Sequence, residues 1–197
     1  MAGGGNKGGG FDRKRKLVGI WLVSWIAIVL FAPLPWLEVL QHAQETATGG
    51  EMGLGTVAFF DHMALHATRA IYASTGLANI YQQATGFFRE RLESGYMGLY
   101  LFMWRLFFFM GVAILFSPVL AGALFDGMIA RRILQWRYEY TSTARHTMAR
   151  STVLWAIDLA LLLVALPIPL PPAVVISGYL LVAISLRWWA ASMQKRI

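Results

Sequence analysis

The sequence predicts an all-α fold: a polytopic membrane protein of four transmembrane helices, N-in and C-in, with an extracytoplasmic helical region between spans one and two. Three observations predict it. Only 14% of the 197 residues are charged while 57% are hydrophobic, and mean hydropathy is +0.55; a soluble domain carries about a quarter charged residues to keep its surface hydrated. The apolar residues gather into runs that suit a hydrocarbon core of roughly 30 Å, which takes about 20 helical residues. The basic residues, which bring the formal charge to +7, alternate with those runs. Cysteine is absent, which excludes a disulfide framework and thiolate chemistry.

Residues 1–16 read as a flexible basic tail, nearly all Gly at first and then Arg13, Lys14, Arg15 and Lys16. Residues 17–37 form the first span and contain no charge. A basic tail before an apolar run also fits a cleavable signal peptide. This run is long and Trp-rich, and Ala32 is followed by Pro33, so an uncleaved signal anchor is the better reading.

Residues 38–98 are the extracytoplasmic region. Within it 56–93 is helix-compatible, because Phe59, Phe60, Met63, Ala67, Ile71 and Ala78 recur at three- and four-residue steps. Gly76 and Gly86 should divide this stretch, and Ser94-Gly95 should end its last helix. Such short helices need a membrane or a partner surface to be stable. Residues 99–125 form span two, interrupted only by Arg105, which is expected to snorkel outward. Residues 126–152 form a basic cytoplasmic segment. Residues 153–189 make a hairpin of spans three and four around a Pro-rich turn at 167–172, where prolines lack a donor and restrict their predecessors. Residues 190–197 are a cytoplasmic tail.

Orientation follows from Lys and Arg in the flanking segments. The tail is basic, the 126–152 segment holds Arg131, Arg132, Arg137, Arg145 and Arg150, and the C-terminal end holds Arg187, Lys195 and Arg196. The 38–98 region has three Arg against six acids, and the Pro-rich turn has no charge. All three basic segments fall on one side, as an N-in, C-in, four-span chain requires.

Few residues carry chemistry. Asp61, His62 and His66 could share a helix face, but Met63 stands where a zincin needs Glu, and polar groups on a solvated face is the plainer reading. Asp158 lies inside span three, and Arg187 near the cytoplasmic end of span four is expected to pair with it, because the short turn makes those helices antiparallel neighbours. Arg131, Arg132, Arg137 and Trp136 form a basic, partly apolar surface suited to lipid headgroups or a cytoplasmic partner. Asp126-Gly127-Met128-Ile129-Ala130-Arg131 opens like the metal-binding signature of CDP-alcohol phosphatidyltransferases. The further acids of that signature are missing, since Ala123, Ala144 and Met148 occupy their expected positions and Tyr140 that of its Gly, so no cation site can be built.

Ser117-Pro118, then Phe125-Asp126-Gly127, Ala130-Arg131-Arg132, Glu139-Tyr140 and Ala144-Arg145-His146, followed by a final hairpin, together resemble the integrating conjugative element membrane proteins, a DUF4400-like class. The resemblance covers most of the chain and is most specific over 126–150, with Asp126, Gly127, Ala130 and Arg131 as its motif. It implies a multi-pass protein of the bacterial inner membrane, encoded near conjugative coupling ATPases, with a role in conjugative DNA transfer and type IV secretion. It implies no catalytic residue, cofactor or metal. The expected partners are membrane lipids and the coupling ATPase or other secretion proteins. No direct nucleic-acid contact is expected, and a homo-oligomer is compatible. The alternatives from the residues are a small transporter or channel subunit and, less favoured, a lipid-modifying enzyme.

Overall fold

In the computed structural model the described residues are 31–136, 143–165 and 168–192, together with Gly19, Val23 and Ile26. Most of the first span, Arg137, Glu139, Tyr140 and residues 193–197 of the C-terminal tail lie outside them. The described residues contain six helices longer than one turn and no strand: α1 Leu34–Met52, α2 Leu54–Ser74, α3 Leu77–Gln83, α4 Phe87–Trp136, α5 Thr143–Ala165 and α6 Pro172–Ser192.

The boundaries follow local chemistry. Pro33 caps α1 in extended geometry, where its missing N–H costs nothing. Gly53 takes φ +90° and breaks α1 from α2, a conformation that a Cβ would oppose. Gly76 (φ +72°) and Gly86 (φ +58°) divide the following stretch as expected. Ser94-Gly95 does not end a helix; α4 runs through it for 50 residues. The reason is tertiary: Ser94 is buried, and Gly95 lies beneath the Tyr72 hydroxyl, which itself donates to the Leu92 carbonyl at 2.8 Å. Pro118 also sits within α4. It deprives the Ile114 carbonyl of its usual N–H, and the Ser117 hydroxyl donates to that carbonyl at 2.8 Å instead.

α1 and α2 fold back on the first part of α4 and form a head with α3. Phe60 enters an aromatic cluster with Trp104 and Phe108, ring centroids 5.9 and 5.6 Å away, and all three rings are buried. Each such pair contributes about 0.5–1.5 kcal/mol beyond area burial. Beside it the Asp61 carboxylate accepts hydrogen bonds from Tyr100 Oη (2.9 Å) and Trp104 Nε1 (2.6 Å), tying α2 to α4.

α4 and α6 run side by side in the same direction. Successive contacts climb both helices together: Tyr179 donates to the Phe109 carbonyl at 2.9 Å, Phe116 stacks on Tyr179 at 5.8 Å, and Arg187 ion-pairs with Asp126. α5 packs against α6, and the turn between them is gripped by the head and α4. Gln44 both donates to the Leu170 carbonyl and accepts from its N–H, each at 2.8 Å. Glu51 accepts from Ala173 N at 2.9 Å, placing a carboxylate at the α6 N-terminus. Arg105, expected to snorkel outward, is instead 2% exposed and donates to the Ile168 carbonyl at 2.9 Å. The turn supplies a carbonyl that a buried guanidinium needs, so the side chain stays inside.

Among the described residues two helices, α4 and α6, are long and apolar enough to cross a membrane.

Candidate functional site

The residues singled out by sequence converge at the far end of α4, away from the head. Gly127 is buried where α4 meets α6. A Cβ there would lie 2.5 Å from the Arg187 carbonyl oxygen and 2.7 Å from the Ala190 Cβ, so only glycine admits this approach. Small residues at a helix contact are what let the two backbones close. Ala183 and Ala190, one turn on either side of Arg187, are buried on the same face. That face brings the Arg187 Nε to Asp126 Oδ2.

Asp126, not Asp158, is therefore the carboxylate that holds Arg187. The Pro-rich turn does make α5 and α6 neighbours. Arg187, however, belongs to the α6 face turned toward α4, and Asp158 is exposed on α5. Asp126 and Gly127 thus have a structural account: one pairs with α6 and the other lets α6 approach.

Beyond this junction α4 continues to Trp136. Ala130 is half-buried, as is Arg131, whose Nε is buried without a hydrogen-bond partner among the described residues. Arg132 is exposed. Phe125, Ile129, Arg132 and Trp136 recur at steps of four, three and four, which puts them on one ridge of the helix. Trp136 is 84% exposed. The ridge offers a guanidinium between apolar anchors and no paired carboxylate of its own. Chemically it can engage a carboxylate, a phosphate or an apolar groove; it holds nothing that could act as a nucleophile.

Elsewhere, Asp61 is committed to Tyr100 and Trp104, while His62 and His66 lie on the solvated face with ring centroids 4.4 Å apart. No group of three metal-ligating side chains forms among the described residues. One cluster had no signal in the sequence. Tyr72, Tyr81, Glu93 and Tyr96, from α2, α3 and α4, meet in the head. Tyr81 Oη donates to Glu93 Oε1 at 2.6 Å, and Tyr72 sets its ring edge against Tyr96 at 4.9 Å. Burial, reinforced by Tyr96, pushes the Tyr72 phenol above its usual range, which keeps it a neutral donor. The three tyrosines are spread over 25 residues and converge only because Gly76 and Gly86 turn the chain.

No curated protein and no solved structure matches the chain. A family model described as IncC plasmid conjugative DNA transfer protein DtrJ-like matches residues 22–194, which include α1 to α6 entire. Its description concerns conjugative DNA transfer, as the resemblance over 126–150 implies. The chain belongs to this DtrJ-like family of conjugative DNA transfer proteins.

Proposed function

We propose that the chain is a non-enzymatic, multi-pass component of the bacterial inner membrane that serves conjugative DNA transfer by docking a protein of the secretion machinery on the cytoplasmic ridge of α4. Four spans, N-in and C-in, are the topology of this reading: residues 17–37, α4, α5 and α6. The 21 residues of α6 make about 31 Å of helix, matching a hydrocarbon core of roughly 30 Å. The neighbouring stretch of α4, from Arg105 to Gly127, then crosses beside it. The charge asymmetry supports the orientation, with Arg131, Arg132, Arg137, Arg145 and Arg150 together on one side.

The observation that carries the docking reading is the ridge itself. It projects roughly 14 Å past Gly127 at 1.5 Å per residue and exposes Trp136 beside Arg132. Trp and Arg are the residues most enriched among interface anchors. The non-enzymatic reading rests on the missing carboxylates at positions 123, 144 and 148.

Two measurements test it. Tagged protein purified in detergent should bring down the coupling ATPase or another secretion protein. Changing Arg131, Arg132 and Arg137 to Lys keeps the topology charge but removes the bidentate fork. Normal membrane abundance with reduced mating efficiency is expected; unchanged transfer and abundance would sink the docking surface.

A further inference from the structure

The head holds a cavity of about 610 Å³ where α1, α2, α3 and α4 meet, within the range of roughly 300–1,000 Å³ typical of ligand clefts. Its free charges balance. Glu38 comes from α1 and Arg69 from α2, and both line the cavity and are exposed. Neither has an ion pair or side-chain hydrogen bond among the described residues. Glu93 is also on the wall but already engaged, by Tyr81 and by Arg89 Nε at 3.4 Å. The cavity thus offers an occupant one carboxylate and one guanidinium. Tyr72, Tyr81 and Tyr96 furnish aromatic wall, and the Tyr96 hydroxyl makes no hydrogen bond among the described residues.

We infer that this cavity holds the headgroup of a zwitterionic phospholipid from the extracytoplasmic leaflet, with its ammonium at Glu38 and its phosphate on Arg69. A guanidinium matches a phosphate with two parallel N–H···O bonds. An ammonium is drawn both by a carboxylate and by the faces of tyrosine rings. A headgroup with only negative charge would set its phosphate against Glu38 with nothing to offset it; one that carries both signs satisfies both side chains. Position selects a lipid as the source, and this step rests on the four-span reading above. Leu34, which lines the cavity, belongs to the last turn of span one (17–37), and Glu38 is the first residue beyond it. Met97, on the opposite wall, stands just before the apolar run of span two (99–125). Both apolar runs therefore end at the cavity, where hydrocarbon gives way to a headgroup layer of about 5–7 Å. Leu34 and Met97 suit the glycerol end of the lipid, and tyrosines are the residues that membrane interfaces enrich.

The test counts lipids on the full-length protein by native mass spectrometry. The protein is first equilibrated in mixed micelles holding equal phosphatidylethanolamine and phosphatidylglycerol with the same acyl chains. Phosphatidylethanolamine should be retained at least fivefold over phosphatidylglycerol. In Glu38→Gln and in Arg69→Gln that preference should fall to near parity, with melting temperature unchanged in both. No preference in the unaltered protein, or one that survives both substitutions, would overturn the inference. Free phosphoethanolamine, added in equal amount, should leave the bound lipid in place; its displacement would assign the site to a soluble compound and overturn the lipid source. A photoreactive residue at Ala73, which lines the cavity, should crosslink lipid in cells carrying the transfer element. Crosslinks to a different protein or to another copy of this chain, in place of lipid, would also sink it. Reporter fusions at Glu51 keep the two readings apart: a cytoplasmic head defeats the topology, whereas a lost lipid preference with an extracytoplasmic head defeats the cavity assignment alone.

Discussion

At Gly127 a single methyl group sets the spacing of two helices. Gly127→Ala must push the Arg187 carbonyl or the Ala190 methyl away, and overpacking of this kind costs about 1–3 kcal/mol. Melting of purified protein in detergent should show that loss. The adjoining ion pair is worth less, because Asp126 and Arg187 are each a little over half exposed, at 56% and 53%. A double-mutant cycle of Asp126→Ala with Arg187→Ala should give a coupling of about 0.2–1 kcal/mol. The same cycle with Asp158→Ala should give none, and measurable coupling there would contradict the pairing described. Glu93 adds a pH dependence. Its carboxyl is held below its usual value first by the Tyr81 hydroxyl and then by Arg89, against some desolvation. A depressed folded value means the unfolded chain takes up the proton first, so this contribution is complete above the ordinary carboxylate range and is lost as pH falls through the folded value. Tyr81→Phe should therefore flatten the acid-side decline in melting temperature, and an unchanged slope would show that the Tyr81 hydrogen bond does not matter to it.

Among the elements, the Pro-rich turn and the breaks at Gly76 and Gly86 were legible because their causes are local: a missing donor, or a backbone angle only glycine takes readily. α1 was not legible as a helix, and neither was its end at Gly53. α1 owes its place to Leu37, Leu40 and Gln44, which are buried against distant parts of the chain. Arg105 and Asp158 were read by depth alone, and depth does not reveal which carbonyl or carboxylate a side chain will meet. The Arg105 partner lies 63 residues away and the Gln44 partner 126. The clamp on the turn should be strong, since Gln44→Ala strands both polar groups of Leu170 in a buried site. A loss of about 1–3 kcal/mol is expected, with faster protease cleavage between α5 and α6 as an independent readout. An unaltered melting curve would mean the turn holds its shape without α1.

For the whole molecule, reporter fusions should place the N-terminus, residues 126–150 and the C-terminus in the cytoplasm and Glu51 outside it, as the charge asymmetry requires. Periplasmic-type activity at Lys195 would overturn the four-span topology. The apolar runs and the basic segments between them are the ground for that expectation, whereas the packing of the head on α4 depends on contacts that leave no periodic trace. A link to conjugative DNA transfer was legible from the Asp126 to Arg150 stretch, and there Asp126 and Gly127 prove to form the α4–α6 junction. α4 itself has a mechanical consequence. Its 50 residues form a rod of roughly 75 Å, more than twice the thickness of the hydrocarbon core. In the proposed topology Phe87 and Trp136 are therefore opposite ends of one lever that pivots inside the bilayer. A rock of about 5° swings each tip by roughly 3 Å, so a load on the head is felt at the Trp136 tip without any residue in between changing its conformation.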